Sequence, residues 1–349
     1  MTTAKPTWCV QATADEPAEL LCAFAAHHLA LGAAEIILHL DHDDPAAAKA
    51  LAGRPGVTVI PRRTGGAEAP GYHTHRQRIN AREAYAACRH DWIVTIDADE
   101  FLLPRRPMEA ILSGIPEAVN SVRVPVLERA FVLGAPIRSI FDGVWRTPLR
   151  AHAPVMGLIY GPGQDFLTHG LLGHSLGKAM TRAGRDMVPD LHIAFPAAET
   201  AKPKDLYGRP EYDVWAPDVR LLHFYAMTPT HYLLKMLRKM VNWQASQAPS
   251  NKVLVPAVDP ARKRQYRRIY KNSSDPAVMA EMSRLLFLSA GQRTALRMLG
   301  ALRTPAHSIE AAATARFPGI DLSPRQFDMR LRDRHADLIE ATRYAAPVF

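Results

Sequence analysis

The stretch Trp92–Pro104 (WIVTIDADEFLLP) limits the folds open to this chain more than any other. Its first five residues are apolar or β-branched, which is typical of a strand covered on both faces. Four residues with three carboxylates follow, Asp97–Glu100, and the apolar Phe101–Leu103 comes directly after them. Polar residues would be expected after an acidic turn in solvent. We therefore expect these acids to lie at a buried edge of a sheet.

The carboxylates of Asp97, Asp99 and Glu100 should repel one another unless a cation neutralises them. In open α/β sheets, ligands bind outside the carboxyl ends of the strands. Mg²⁺ and Mn²⁺ prefer oxygen ligands and take one or two carboxylates from the protein, which leaves positions for water and substrate phosphates. The pair Asp97 and Asp99 therefore predicts a Mn²⁺ or Mg²⁺ site that holds a nucleotide diphosphate. For the bare tripeptide, a solvated turn is the simpler interpretation.

The first hundred residues alternate between strand and helix patterns. We predict strands at Thr7–Ala12, Ala34–Leu40, Val57–Ile60 and Trp92–Ile96. A first helix, capped by Asp15, should end at Gly32, and two more should cover Pro45–Leu51 and about Arg76–Cys88. A Gly-Pro loop that reaches Gly71 precedes the last of these helices. Right-handed crossovers then give an α/β fold with a doubly wound, mostly parallel sheet. The acidic turns at Asp15-Glu16, Asp41–Asp44 and Asp97–Glu100 would line one crevice. No GxGxxG or GxxxxGK[ST] follows a strand, which argues against a dinucleotide dehydrogenase and a P-loop kinase.

The pattern changes in the later part of the chain. Strand-like runs occur at Ser121–Leu127, Phe141–Thr147 and Val219–Tyr225, and helical patterns at His231–Trp243, Arg262–Lys271 and Val278–Leu302. We therefore predict three regions, over residues 1–120, 121–225 and 226–349, of which the last is basic and helical.

Charge and cysteine content restrict the partners and the compartment. Among the 349 residues, 43 lysines and arginines exceed 34 aspartates and glutamates, which favours anionic partners. Three cysteines without metal-like spacing predict reduced thiols in a cytoplasmic protein. No apolar h-region or membrane-length apolar run is present. The basic helices allow peripheral contact with the anionic inner face of the plasma membrane, although solvated helix faces explain them more simply.

The residues resemble the family 2-like glycosyltransferases of the glycosyltransferase A fold, in their bacterial branch with the "DADEF" signature. The resemblance is densest over residues 8–104 and thinner beyond them. It is carried by the DADEFL turn after a buried strand, Arg76-Gln77 with Asn80, HHLALGAAEIILHLDHDD, Gly173–Lys178, Leu191-His192, Leu222–Tyr225 with Lys235, and Tyr270–Asn272 with Asp275. Thr13–Glu16 departs from the Asn-Glu pair that is common in the first loop of this family.

The resemblance implies transfer of a sugar from a nucleotide-diphosphate donor, with a UDP-sugar as the expected donor, to a hydroxyl of a glycan or glycolipid acceptor in cell-envelope or extracellular polysaccharide synthesis. Asp97 would face the ribose or sugar, Asp99 would coordinate the metal, and His223 would supply a later metal contact. Asp15 and Asp41 would hold the base and ribose. Residues 1–120 would be the nucleotide-sugar-binding half, and residues 121–225 the acceptor-side half, of the same catalytic domain.

Glycosyl transfer also needs cations on the diphosphate and a base for the acceptor hydroxyl. Lys178, framed by glycines, and Arg76 are the predicted cations. Family 2 enzymes generally invert, which requires a carboxylate on the acceptor side. Asp165 and Glu100 are our candidates for it, and Asp142 and Glu128 remain open.

Two rival functions remain at this point. The net charge and the basic run Arg262–Lys271 would suit a nucleic-acid-binding protein. However, Tyr266 and Tyr270 are the only aromatic residues between its basic residues, and no known nucleic-acid-binding signature is evident. The same acidic site could serve a metal-dependent nucleotidyltransferase or phosphohydrolase. For the nucleotidyltransferase, Gln11–Pro17 lacks the expected Gly-rich basic loop.

Overall fold

The computed structural model describes residues 5–62, 73–201, 203–216, 218–246 and 260–346. The strands are β1 Trp8–Ala14, β2 Glu35–Leu40, β3 Val57–Ile60, β4 Trp92–Thr95, β5 Glu100–Pro104, β6 Ser121–Val124, β7 Val126–Val132, β8 Val144–Arg146, β9 Lys178–Arg182, β10 Met187–Pro189, β11 Ala194–Pro196, β12 Val219–His223, β13 Phe287–Leu288 and β14 Leu302–Arg303. The predicted loop up to Gly71 lies mostly outside the described residues.

The helices are α1 Ala18–Ala30, α2 Pro45–Leu51, α3 His73–Ala87, α4 Met108–Ser113, α5 Met156–Tyr160, α6 Pro203–Leu206, α7 Pro229–Ser246, α8 Pro260–Lys271, α9 Pro276–Ser283, α10 Ala290–Met298, α11 Ile309–Arg316, α12 Pro324–Arg334 and α13 Ala336–Thr342. Short 3-10 turns occur at Arg150–Val155, Gly161–Phe166, Pro210–Tyr212 and Arg284–Leu286.

The chain forms two compact units, each made of three separate stretches. Unit 1 contains Met1–Val126, Leu176–Leu222 and His307–Ile320. Unit 2 contains Leu127–Ser175, His223–Ala306 and Asp321–Phe349. These boundaries follow from spatial contacts, and the functional division at residues 120 and 225 stays a prediction.

Unit 1 is built on a six-stranded sheet with the order β3-β2-β1-β4-β9-β6. The pairs β2–β3, β1–β2 and β1–β4 are parallel, whereas β9 runs antiparallel to both β4 and β6. The predicted α/β class and mostly parallel sheet are therefore confirmed. The antiparallel β9 beside β4 brings a late part of the chain next to the acidic turn.

Burial explains why these segments form strands and how helix α1 packs. All residues of β1 are buried, and Trp92, Ile93 and Val94 of β4 are at most 1% exposed. Helix α1 buries Leu20 and Phe24 and also packs against α11, which comes from the C-terminal part of the chain. The prediction that Asp15 caps α1 was wrong, because the N-cap residue is Pro17, which makes no side-chain capping bond.

Helix α3 is fixed against the sheet by an apolar cluster. Ala84 and Tyr85 from its last two turns pack with Cys9, Ile37 and Ile93 of the strands beneath them. Because α3 follows β3 in a parallel α/β arrangement, its first turns lie at the carboxyl edge of the sheet. The polar residues of these first turns are thereby held over the ends of the strands.

Unit 2 combines a small sheet with most of the C-terminal helices. Strands β7, β8 and β14 are antiparallel neighbours, and β13 pairs in parallel with β7. The predicted helices at His231–Trp243 and Arg262–Lys271 are confirmed within α7 and α8. The segment Val278–Leu302, predicted to be mostly helical, contains the end of α9, a 3-10 turn and α10, with the short strand β13 before α10.

Among the described residues, no helix has both the length and the apolar content needed to cross a bilayer.

Candidate functional site

Acidic turns meet at one edge of the unit 1 sheet. Asp15 directly follows β1, Asp41 directly follows β2, and Asp97 comes two residues after β4. The backbone N–H of Asp41 donates to the carbonyl of Ala14 over 2.8 Å, which joins the first two turns. The three strands are parallel neighbours, so their carboxyl ends share this edge, as the sequence predicted.

Asp41 is held by two residues from the first turn of α3. Arg76 binds it with both arms of its guanidinium, Nε to Oδ1 at 2.5 Å and Nη2 to Oδ2 at 2.7 Å, and His73 Nδ1 lies 2.7 Å from Oδ2. Burial raises the pKa of Asp41, but the hydrogen bonds from Arg76 and His73 outweigh it and hold this pKa well below its ordinary value. Asp41 is therefore a carboxylate, with Arg76 bound to it side-on.

Asp97 is fixed by Lys178 and Gln77. Lys178 Nζ lies 2.9 Å from Asp97 Oδ2, and Gln77 Nε2 donates to Oδ1 over 2.9 Å. Lys178 is the first residue of β9, and its side chain is only 3% exposed, against 32% for that of Asp97. Burial lowers the pKa of Lys178, but the negative charges of Asp97 and Glu100 raise it by a larger amount. The net shift of this pKa is upward, so the ammonium stays charged.

Glu100 closes the acidic turn from inside. Its Oε2 accepts the backbone N–H of Asp97 at 2.8 Å and lies 3.5 Å from Lys178 Nζ. Burial raises the pKa of Glu100 well above its ordinary value; Lys178 opposes this shift, and Asp97 and Asp99 add to it. Glu100 is 0% exposed, which places this predicted catalytic residue beneath the turn.

The structure corrects one step of the sequence reasoning about charge. The sequence predicts that a divalent cation neutralises the three acids. In the structure, Lys178 already provides one positive charge, which pairs with Asp97 and Glu100. With Asp99 also buried, three carboxyl groups face one ammonium. Carboxylate oxygens suit Mn²⁺ or Mg²⁺, so Asp97 and Asp99 fit such an ion in ligand type.

Asp15 lies beside a histidine of the second turn. Its Oδ1 is 2.7 Å from His42 Nδ1, and both side chains are partly exposed. Asp44, in the same turn as His42, caps helix α2 by accepting the N–H of Ala47. The predicted nucleotide contact of Asp15 would have to be made from this position next to His42.

Further polar pairs surround the same edge, and the sequence reasoning gave them no role. Asn80 donates to Thr13 Oγ1 over 2.9 Å, and Arg78 Nε lies 2.7 Å from Asp190 Oδ2. The sequence contained a signal for Asn80, because His73, Arg76, Gln77 and Asn80 have the spacing of one helix face. The small cleft lined by Gln11, Thr13, Gln77, Asp97, Lys178 and Asp190 has a volume of about 10 Å³. It admits roughly one water, so by itself this cleft is too small for a nucleotide.

His223 and Glu128 are buried residues of unit 2. The ring of His223 stacks on His174, with centroids 4.9 Å apart. Glu128 accepts the backbone N–H groups of Leu172 and Gly173 and binds Arg146 at 2.8 Å. Two adjacent imidazoles are suitable metal ligands in type, and the role of His223 as a ligand stays a prediction. Glu128, by contrast, holds a loop and a buried arginine.

Asp165 lies in the 3-10 turn Gly161–Phe166 of unit 2, with an exposed side chain. Its backbone carbonyl accepts a hydrogen bond from Arg264 Nε at 2.8 Å. The other open candidate, Asp142, accepts the backbone N–H groups of Arg138 and Ser139 and so stabilises a turn. Asp165 is the more exposed of these two carboxylates, because Asp142 is half-buried.

No protein-family model and no curated protein matches the chain. Among solved structures, it aligns with S. aureus TarS 1-349 at 12% identity and a TM-score of 0.32, covering 97% of this chain and 87% of that one. A Pyrobaculum calidifontis mannosyltransferase, in complex with GDP-Man and Mn²⁺, aligns at 13% identity and a TM-score of 0.36 over 97% and 86% of the two chains. A Mycobacterium tuberculosis glucosyl-3-phosphoglycerate synthase aligns at 17% identity and a TM-score of 0.24 over 51% and 57%. At such TM-scores these likenesses decide nothing about the chemistry of this chain.

Proposed function

We propose that the protein is a family 2-like glycosyltransferase that moves a sugar from a nucleotide-diphosphate donor to a hydroxyl acceptor. The observation that carries the proposal is the polar cluster of Asp97, Lys178 and Gln77 near the Asp41–Arg76 pair, at the carboxyl edge of the parallel strands. This edge is where open α/β sheets bind their ligands. Acids for a metal and a fixed positive charge, that of Lys178, occur together there.

In this proposal each polar group has a separate task. Asp15 and Asp41 hold the base and ribose, and Arg76 keeps the Asp41 carboxylate ionised and oriented. Asp97 and Asp99 hold Mn²⁺ or Mg²⁺, which stabilises the negative charge of the leaving diphosphate when bound. Lys178 orients Asp97 and adds a fixed positive charge on the same side.

Transfer with inversion requires the acceptor hydroxyl to attack the anomeric carbon opposite the leaving diphosphate. The hydroxyl loses its proton to a carboxylate during this attack. Between our two candidates, the exposed Asp165 is favoured over the buried Glu100. We further propose a UDP-sugar donor, a glycan or glycolipid acceptor in cell-envelope synthesis, and a cytoplasmic enzyme in peripheral contact with the anionic membrane.

The proposal is tested first by binding. UDP, GDP and ADP are added with and without Mn²⁺, and the midpoint of thermal unfolding is measured. A nucleotide at 100 times its Kd stabilises the folded state by about 2.7 kcal/mol. We expect Mn²⁺ to increase the shift for one nucleotide, and Asp99→Asn to remove this increase. The matched control Asp186→Asn changes an exposed acid in the β9–β10 turn and should behave like the wild type.

Turnover and product analysis separate the proposal from its rivals. A glycosyltransferase releases nucleoside diphosphate from a nucleotide sugar, whereas a nucleotidyltransferase would form or consume pyrophosphate. If neither UDP nor GDP binds and Asp99→Asn turns over nucleotide sugars like the wild type, the proposal is wrong.

A further inference from the structure

The positive charge of the chain is concentrated in unit 2. Its three stretches contain 23 lysines and arginines against 11 aspartates and glutamates, whereas unit 1 contains 20 against 23. Helix α8 contributes strongly, because it buries Ala261, Gln265, Tyr266 and Ile269 and leaves Arg264, Arg267, Arg268 and Lys271 exposed. The charge pattern therefore points to an anionic partner for this unit.

Unit 2 also contains a cavity of about 420 Å³. Its walls are mainly apolar and include Leu133, Phe166, Met282, Leu285 and Phe287. This volume lies within the range of roughly 300–1,000 Å³ that is typical of small-molecule sites. Leu133 at its edge is 56% exposed, which is unusual for a large aliphatic side chain.

Basic residues border this apolar cavity. Arg284 is exposed and lines it, and Glu281, which also lines it, is paired with Arg268 of α8 at 3.0 Å. Helix α8 is bound to the 3-10 turn that forms another wall, because Arg264 donates to the Asp165 carbonyl and Gln265 to that of Phe166. Since Arg268 balances Glu281, Arg284 leaves the border net positive.

We propose that this cavity binds the apolar chain of an amphiphile whose anionic, phosphate-type head group contacts Arg284 and the adjoining face of α8. An apolar interior accounts for a hydrocarbon chain, and a cationic border accounts for a charged head. Neither a free anion nor a neutral lipid would use both features. The identification of this amphiphile as the lipid-linked sugar acceptor rests on the proposed function; its binding does not.

The test is isothermal titration of the full chain with dodecyl phosphate below its critical micelle concentration. Dodecyl maltoside carries a chain of the same length on a neutral head, and inorganic phosphate carries the charge without a chain. We expect saturable 1:1 binding of dodecyl phosphate, at least about tenfold tighter than either comparator. Equal binding of the maltoside or of inorganic phosphate would overturn the proposal.

Matched variants locate the site. Leu133→Gln and Arg284→Glu alter the cavity border and should each weaken dodecyl phosphate binding at least about fivefold. Leu158→Gln and Arg325→Glu change an exposed leucine and an exposed arginine that do not line the cavity, and should stay within about twofold of the wild type. All four positions are exposed, so the variants should fold, and their thermal unfolding midpoints check this.

Two further outcomes decide the partner class and the link to function. Loss of dodecyl phosphate binding in Leu158→Gln but not in Leu133→Gln would mean that the amphiphile adsorbs elsewhere on the surface. Stronger binding of a DNA duplex than of dodecyl phosphate would mean a nucleic-acid partner. Either result overturns the proposal. A UDP titration of the same samples reports on the nucleotide site alone. Failure of one titration with success of the other therefore identifies which of the two ideas is wrong.

Discussion

Lys178 Nζ lies 2.9 Å from Asp97 Oδ2, although the two residues are 81 positions apart in the sequence. The strand that begins with Lys178 is the antiparallel neighbour of the strand that precedes Asp97. Sheet pairing thus places a buried ammonium directly against the acidic turn. The charge of the turn is set by this strand pairing as well as by its own residues.

Removal of this ammonium should destabilise the protein. Lys178→Met leaves Asp97 and Glu100 without their buried counter-charge, and the loss of one partner of a buried pair costs about 3–5 kcal/mol. Urea unfolding at pH 7 measures the loss. The control Lys5→Met removes the exposed ion pair with Glu109 and should leave the midpoint unchanged. The double variant Lys178→Met/Glu100→Gln should recover part of the stability; equal midpoints for the two lysine variants would contradict this assignment.

Stability should also depend on two buried histidines of α1. His27 bonds to the carbonyl of Leu102 at 2.7 Å, and His28 accepts the N–H of the same residue at 3.2 Å. Burial lowers the pKa of His27 to about 4 and that of His28 well below its ordinary value. Their neutral forms are favoured by folding, so the unfolded chain takes up two more protons below about pH 6.5 and the free energy of unfolding falls as the pH decreases.

Glu100 acts in the opposite direction over part of this range. Its raised pKa lets the folded state keep a proton that the unfolded state releases above about pH 4.5. Glu100 therefore offsets part of the dependence that the two histidines produce, and the free energy of unfolding should still fall as the pH decreases below about 6.5. Urea titrations across this range test the slope, which Glu100→Gln should make steeper and His27→Gln shallower. Identical slopes in all three proteins would refute the assignment.

Gly173 should not tolerate a side chain. A Cβ at this position would lie 2.4 Å from His223 Cε1 and 2.8 Å from Glu128 Oε2, and both neighbours are buried. Overpacking of this kind costs about 1–3 kcal/mol, so Gly173→Ala should lower the free energy of unfolding by that amount. Gly291→Ala is the control, because a Cβ there would meet nothing within 4 Å. Equal free energies of unfolding for the two variants would show that the loop shifts to accommodate the added carbon, and would contradict the prediction.

Cys88 should be the most reactive thiol. Its Sγ lies 3.6 Å from that of Cys9; the hydrogen bond between them lowers the pKa of Cys88 to about 7, while burial raises the pKa of Cys22 to about 12. Because the thiolate is the nucleophile, iodoacetamide at pH 7.5 should modify Cys88 first. Peptide mass spectrometry over time gives the order, and Cys88→Ser should remove the fast phase. Earlier modification of Cys22 would contradict the prediction.

Local sequence was sufficient for the elements that local chemistry determines. Helix α2 has the predicted bounds because Pro45 opens it and Asp44 caps it, and β4 was visible as an apolar run before three acids. The acidic turns were correctly expected at one edge because parallel strands align their carboxyl ends. The roles assigned to Asp15, Asp41, Arg76, Asp97, Asp99, Asp165, Lys178 and His223 in donor, metal and acceptor binding stay predictions.

What could not be predicted depends on distant partners. Nothing near Lys178 in the sequence indicates that it pairs with Asp97, nor does Arg76 reveal that its guanidinium is bound to Asp41. The insertion of β9 between β4 and β6 depends on strand pairing, which a single sequence does not encode as a local pattern. Asp15 was misassigned as a helix cap because its spacing was right, but it lies next to His42.

The packing of α11 against α1 has a consequence for biosynthesis. Helix α1 ends at Ala30, whereas α11 begins only at Ile309, so the ribosome makes α11 long after α1. One face of α1 therefore lacks its packing contacts until α11 has been synthesised, although domains commonly fold in order of synthesis. A nascent chain stalled before residue 309 should expose this face to chaperones, and removal of α11 should destabilise unit 1.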